Sequence, residues 1–227
     1  MHSREPLSSE YAAGEYAAHP EVSGELPAPA LGKRFGWTLL GSPLGRFLAL
    51  HVCQIMSREL ERARGLPTLE SRNGVVRLWR IENFADISWS PERPWTLDDG
   101  VELDPHDPVL EFHIAGERFL ELTRGSRWRA VIGQEFHSLV PLLQSRDEVA
   151  LVGSTILRRQ VTEFGASLRE LPPGIHKSLD TFYRKLILLA FHPGGAKRVL
   201  LERQAVAEAA ISRREFCRRY RDDVSDS

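Results

Sequence analysis

Near the middle of the chain, two residues are spaced to exchange a proton. In the run Val109-Leu110-Glu111-Phe112-His113-Ile114, Glu111 and His113 alternate with apolar residues, so on a strand both side chains leave from the same face. The strand rise sets them about 7 Å apart at Cβ, and a carboxylate and an imidazole facing one cleft are the parts of a general acid/base pair. Asp107, just ahead of the strand, is the alternative partner for His113. Asp104, His106 and His113 have the residue types of a metal site. Their spacing does not support one, and no metal or other cofactor is expected. The blander reading of the pair, a half-solvated sheet face on which His113 bonds to a neighbour, is preferred because titratable pairs are common on open sheets.

A second kind of chemistry is anion binding. Gly153-Ser154-Thr155 follows the apolar Val149 to Val152 and precedes a helix whose first turns carry Arg158 and Arg159. At a strand-to-helix corner, free backbone N–H groups and the two hydroxyls would suit a phosphate or carboxylate. There is no Gly-x-x-x-x-Gly-Lys, and Ser154 reads equally as an ordinary N-cap. Arg213, Arg214, Arg218, Arg219 and Arg221 crowd the C-terminal helix, where they could grip phosphates. Asp222, Asp223 and Asp226 cancel much of that charge, and a pI near 6.7 is far from the basic range of nucleic-acid binders. Trp79, Trp89 and Trp95 would stack on sugar rings if they lined one cleft. No Gly-x-Ser-x-Gly elbow, Cys/His dyad, His-Glu-x-x-His or dinucleotide fingerprint is present, which argues against a hydrolase or dehydrogenase of familiar type.

These residues need a scaffold, and 227 residues with 42% hydrophobic content can bury one domain's core. Thirty Lys+Arg against 31 Asp+Glu leave a formal charge of -1, so any attraction for nucleic acid or anionic membrane must be local. No stretch approaches the roughly 20 apolar residues of a membrane span, and the N-terminus lacks a secretory layout, so a soluble, cytoplasmic protein is expected. The two cysteines, Cys53 and Cys217, stand far apart and read as buried or idle thiols.

Residues 1–34 are rich in Pro, Ala, Glu and Ser without helix or strand period and read as a disordered arm. Ser42 then caps a helix with Pro43 in its first turn; Leu44, Phe47, Leu48, His51, Val52, Ile55, Met56 and Leu60 mark the face that should lie on a core, and Gly65 stops it. Strands are expected at 75–81 and 108–114, with a turn at Asp98-Asp99-Gly100 and a loop from Trp89 to Trp95. Phe119 to Thr123 extend the sheet, and a helix follows from Trp128 to Leu143. An apolar strand at 149–152 closed by the Gly153-Ser154-Thr155 corner, a helix to Phe164 with Gly165 as its stop and a strand at 167–171 form the next unit. An apolar helix from Ser178 to Phe191, buried or facing a partner groove or membrane interface, a last strand at 206–211, a helix capped by Ser212 and an acidic tail over 222–227 complete the chain. The mixture implies one α+β domain over 35–221, a small mixed sheet with flanking helices.

The runs Leu97-Asp98-Asp99-Gly100, Asp107 to Ile114, Val152 to Leu157 with Phe164-Gly165, and Ala210-Ile211-Ser212-Arg213 to Arg219-Tyr220 resemble the YkoP-like domain family. That family has an Asn shortly after its His strand where this chain has Ala115-Gly116, and the arm lies outside the resemblance. The resemblance implies a small bacterial protein, or a domain accompanying polysaccharide deacetylases and envelope glycosyltransferases. It points to cell-envelope polysaccharide or glycolipid metabolism without an assigned reaction. The expectation is therefore an accessory or binding domain for an anionic or sugar-containing ligand, with Gly153, Ser154, Thr155, Arg158 and Arg159 as contacts and envelope-pathway enzymes as partners. The alternatives are an enzyme using His113 with Glu111 or Asp107, and nucleic-acid binding through the arginine helix; a membrane would be at most a peripheral partner.

Overall fold

A computed structural model describes residues 42–115, 128–191 and 205–221, together with Arg118 and Val199. The expected arm, the sheet extension at Phe119 to Thr123 and the acidic tail lie outside the described residues. Helix α1 (Pro43–Arg64) starts where Ser42 Oγ accepts the Gly45 N–H at 3.1 Å, with Pro43 in the first turn, and it ends at Gly65. Then come β1 (Leu69–Glu70), β2 (Val76–Ile81), a 3-10 turn (Phe84–Asp86), β3 (Trp95–Thr96), β4 (Glu102–Leu103) and β5 (Val109–Ile114). The remaining elements are α2 (Trp128–Leu143), β6 (Ala150–Thr155), α3 (Arg158–Glu163), β7 (Ser167–Glu170), α4 (Ile175–Phe191), β8 (Ala207–Ser212) and α5 (Arg213–Arg221).

Six strands form one sheet in the order β1-β2-β5-β6-β8-β7, while β3 and β4 make a separate hairpin. The β5–β6 pair is parallel, bridged by α2, and the other pairs are antiparallel. This is the α+β architecture expected, a mixed sheet flanked by helices.

Alternation along each strand sends one set of side chains to each face. On the outer face Val76, Leu78, Leu110 and Leu151 meet Ile132, Phe136, Leu139 and Leu143 of α2 and Phe216 and Tyr220 of α5. Phe136 is the hub, with its ring 5.1 Å from Tyr220, 5.4 Å from Phe216 and Phe164 and 5.8 Å from Phe112, mostly edge to face. On the inner face Ile81, Val109, Ala150 and Val152 are covered by Phe84, Trp95, Leu97 and Leu103 of the 3-10 turn and the hairpin. Helices α1 and α4 pack together through Ala49, Cys53, Leu186, Leu189 and Ala190.

Three expectations change. Trp95 belongs to a buried strand rather than to a loop, because its ring fills the space under the hairpin. The second concerns α1, whose periodic stripe does not lie on the core: Leu44 is 69% exposed, Phe47 64% and Leu48 51%, and Val52, Ile55 and Met56 are also exposed. The buried side carries the small residues Gly45, Ala49 and Cys53, which let α1 sit close to α4. Spacing shows that a stripe exists; it does not say which way the helix is turned. Lastly, Gly153-Ser154-Thr155 continues β6 instead of turning a corner. A Cβ on Gly153 would lie 3.2 Å from the Phe112 carbonyl oxygen, so the residue serves the close approach of β5 and β6.

A buried acid holds the β1–β2 turn to α2. Glu135 accepts from Ser71 Oγ at 2.6 Å, Asn73 N at 3.1 Å and Asn73 Nδ2 at 2.5 Å, with 1% of its surface exposed. Replacing Glu135 with Ala should lower unfolding free energy by about 2–3 kcal/mol, because it strands those donors; Glu135→Gln keeps an acceptor and should cost less. Urea denaturation of the two variants and the parent checks this order.

Candidate functional site

The sheet register builds one polar row across the inner face. Paired residues in an antiparallel ladder share a face, and the pairs are Arg77 with His113, Ser154 with Glu208, and Arg169 with Glu208. In the parallel pair, Glu111 lies beside Val152, and the same two-residue step sets Ser154 beside His113. The row Arg77, His113, Ser154, Glu208, Arg169 therefore crosses β2, β5, β6, β8 and β7. Glu111 and Trp79 lie one step along the same face.

Each charge in the row is answered. Glu208, almost fully buried, accepts from Trp89 N at 2.7 Å and Arg169 Nε at 2.8 Å, and the Arg169 guanidinium lies 4.6 Å from the centre of the Trp95 ring. Arg77 pairs with Glu61 of α1 and, at 2.9 Å, with Glu70. From α4, Arg184 donates to Ser154 Oγ and its Nε lies 3.4 Å from Asp180 Oδ1. Arg64, the last residue of α1, brings its Nε 2.8 Å from Glu111 Oε2, and the Trp79 indole N–H donates to the Gly65 carbonyl at 3.1 Å.

His113 is thus enclosed by Arg184, Arg77 and the edge of Trp79, whose ring centre is 6.0 Å away. Burial first, then the Arg184 and Arg77 charges, push its pKa down to about 4. Its imidazole is neutral at ordinary pH. No hydrogen bond of its ring nitrogens is found among the described residues, and the carboxylate of Glu111 is engaged by Arg64 instead. The two residues do share a face, as the alternation requires, but they do not form a proton-sharing pair.

Asp107 lies at the other end of β5, six residues from His113, or about 20 Å along the strand. Its carboxylate accepts the Asp104 N–H at 2.7 Å, and Asp104 in turn accepts the His106 N–H at 2.9 Å, so these residues shape a turn. This separation takes Asp107 out of reach as a partner for His113 and scatters the Asp104, His106, His113 set. Among the described residues no cluster of three or more His, Cys, Asp or Glu could hold a metal.

The proposed anion corner is occupied by the protein itself. Gly153, Ser154 and Thr155 pair with Ala209, Glu208 and Ala207, and Thr155 Oγ1 accepts the Leu157 N–H at 2.9 Å. Helix α3 opens from Leu157, not Ser154, and has only six residues. Arg158 pairs with Glu170 and Arg159 Nε donates to Glu163 at 2.9 Å. Of the five contacts expected there, the side chain of Ser154 reaches the polar row.

The arginines of α5 brace the fold. Arg213 donates to the Glu148 carbonyl, Arg214 to the Asp99 carbonyl and Arg219 to the Glu163 carbonyl, and Arg218 pairs with Glu215. Trp79 and Trp95 are buried, so the three tryptophans do not form an open stacking platform. Cys53 and Cys217 are free and buried, and burial raises the Cys53 thiol to about 11. No described helix is long and apolar enough to cross a membrane.

None of Arg184, Asp180, Glu208, Arg169 and Arg64 is assigned to this face from the sequence, where Arg184 reads only as a flank of the apolar helix. Signals existed for some of them. Asp180 and Arg184 stand four apart within an apolar helix, and Glu208 is the one acid in the otherwise apolar Ala207-Glu208-Ala209-Ala210-Ile211.

The profile of the YkoP domain matches residues 92–220. The chain belongs to the YkoP domain family. No curated protein and no solved structure matches it. The YkoP match contains His113, Ser154, Arg169, Arg184 and Glu208, whereas Arg77, Glu61 and Arg64 precede it. The polar row is therefore mostly the YkoP domain's own, closed on one side by α1 and β2.

Acid should test the burial of His113. The ordinary value for this group is 6.5 and the folded value about 4, so between them the unfolded chain binds the extra proton and stability rises with pH. Stability should be fully present above pH 6.5 and fall toward pH 4, by at most about 3 kcal/mol at 1.36 kcal/mol per pH unit. In His113→Gln this slope should flatten. Urea titrations at stepped pH measure it.

Proposed function

We propose that this YkoP domain is a binding domain rather than a catalyst, and that it takes a small hydroxyl-bearing ligand, sugar-containing and in part anionic, beside Arg184, Ser154 and His113. One observation carries the reading. Among the described residues, buried Arg184 Nε and Asp180 Oδ2 have no aligned hydrogen-bond partner, and buried Glu111 Oε2, though 2.8 Å from Arg64 Nε, makes no aligned hydrogen bond either. Buried polar atoms left in this state are costly unless a further group completes them.

The chemistry of that group follows from the atoms. One is a donor and two belong to carboxylates, so the partner must both accept and donate. A hydroxyl does both without charge; a carboxylate only accepts, and either a carboxylate or a phosphate alone would face Glu111 and Asp180 with like charge. Arg184 leaves room for an acidic substituent on such a ligand, not for an anion alone. A link to cell-envelope polysaccharide or glycolipid metabolism, with enzymes of that pathway as partners, rests on the family resemblance.

Acid/base catalysis by His113 has weaker support. An imidazole with a pKa of about 4 is a poor base at neutral pH, and neither Glu111 nor Asp107 orients it. Nucleic-acid binding has weaker support still, because four of the α5 arginines are turned to carbonyls and carboxylates of the chain.

Three probes separate these readings: N-acetylglucosamine, glucuronic acid and inorganic phosphate, titrated at millimolar concentration against side-chain NMR signals. The two sugars should shift the Arg184 Nε–H and His113 ring resonances, glucuronic acid the more strongly, and phosphate alone should move them little. Arg184→Lys should abolish the response while the backbone spectrum is kept. Silence toward both sugars, or shifts that survive Arg184→Lys, would overturn the proposal.

A further inference from the structure

The described residues leave a continuous apolar stripe of helix α1 uncovered. From Leu44 to Met56 its large side chains are between about four-tenths and seven-tenths exposed, and α4, packed against it, exposes Ile175 at 70% and Leu179 at 59%. No Asp, Glu, Lys or Arg occurs from Phe47 to Met56. Taking ~200 Å² for each large apolar side chain, the two helices leave on the order of 800 Å² of apolar surface to water. That exceeds the largest apolar patch of an ordinary monomer, about 300–600 Å². It equals the ~800 Å² that each partner contributes to a standard stable interface.

The geometry points to a second copy of this chain as the occupant, docked α1 to α1 across a two-fold axis with α4 at the rim. The uncharged span from Phe47 to Met56 meets its own copy without like-charge repulsion, with Arg46 at its near end, and the isologous two-fold dimer is the simplest arrangement that covers the same patch on both chains. Residues of both signs follow the stripe, Arg58, Glu59, Glu61 and Arg62, and such residues form the polar rim of an interface. Within the chain, residues 1–34 have no helical apolar period and offer no matching stripe, which leaves the short apolar run Phe35 to Leu40 ahead of α1 as the competing occupant. The stripe itself has the three-and-four spacing that seats one helix on another.

Light scattering on the full chain tests this directly. The wild type should run at twice the 25.7 kDa chain mass, and L48E/I55E should run as a monomer with unchanged circular dichroism. A readout free of substitutions uses Met56, one of two methionines in the chain. Its oxidation by peroxide, followed by mass spectrometry, should slow several-fold between about 0.1 µM and about 100 µM protein, the range in which interfaces of this area dissociate at the weak end. A monomeric wild type at the highest concentration overturns the proposal, as does a dimer that persists in the folded double variant. Met56 oxidation that is equally fast, or equally slow, at all concentrations overturns it too, the last outcome meaning that the chain covers its own stripe. None of these readouts depends on Arg184, so the ligand reading stands or falls separately.

Discussion

Placing Arg77, His113, Ser154, Glu208 and Arg169 in one row on the inner face of a sheet removes charged groups from water, and the row persists because the charges in it are matched. Glu208 illustrates the balance. Its carboxylate would be expensive to bury alone, yet it holds the Arg169 guanidinium and the Trp89 amide together, and Arg169 spreads over the Trp95 ring. This single acid ties β8 and β7 to the loop before the hairpin. Removal of either partner would leave an uncompensated charge, so the row behaves as a unit rather than as separate surface pairs. Helix α1 is held over it by the same means, through Glu61 and Arg64, and α4 by the hydrogen bond from Arg184 to Ser154.

His113 is the exception within this balance. Arginines stand on two sides of it, and among the described residues no carboxylate neutralises the ring. A protonated imidazole there would add a third positive charge to a partly desolvated space, so the fold selects the neutral form. The same asymmetry leaves Arg184 divided between Ser154, Asp180 and the neighbourhood of His113, with its Nε lacking an aligned acceptor. A guanidinium with one arm spent and one donor open suits the ligand recognition proposed above.

Much of the scaffold was legible because its signals are local. Ser42, Pro43 and Gly65 bound α1 through the groups at a helix end, Asp98-Asp99-Gly100 makes its turn, and Ser212 Oγ accepts the Glu215 N–H at 3.0 Å to start α5. The alternation of Glu111 and His113 gave their common face correctly, since a two-residue period admits no other result. What failed was non-local. Which carboxylate answers Arg169 depends on β8 inserting between β6 and β7, and which way the α1 stripe turns depends on its packing against α4, both far along the chain. Gly153-Ser154-Thr155 was misplaced for the same reason. An apolar strand followed by small polar residues looks like a corner until its partner, Ala207 to Ala209, is known to extend the ladder beyond it.

The runs that carry the family resemblance meet chiefly at a joint, away from the polar row. Asp99 accepts from Ser212 Oγ at 2.6 Å and from Arg214, the Asp98 N–H donates to Ser167 Oγ at 2.7 Å, and the Tyr220 hydroxyl donates to the Phe164 carbonyl at 3.1 Å. Gly165 belongs to the same joint: its φ of 89 is a conformation that side chains avoid, and a Cβ there would lie 2.6 Å from the Arg219 guanidinium. Together these contacts lock the hairpin, the α3–β7 turn and α5 around one small cleft of about 280 Å³. Every side chain in that list is engaged with another part of the chain, which is what a structural clasp requires and a ligand site does not. Of the quoted runs, only Glu111, His113 and Ser154 reach the face where buried atoms remain incomplete. The residues that make the chain recognisable and those that would give it a ligand are therefore largely different, and the family signature reports on how α5 closes the sheet more than on what the inner face binds.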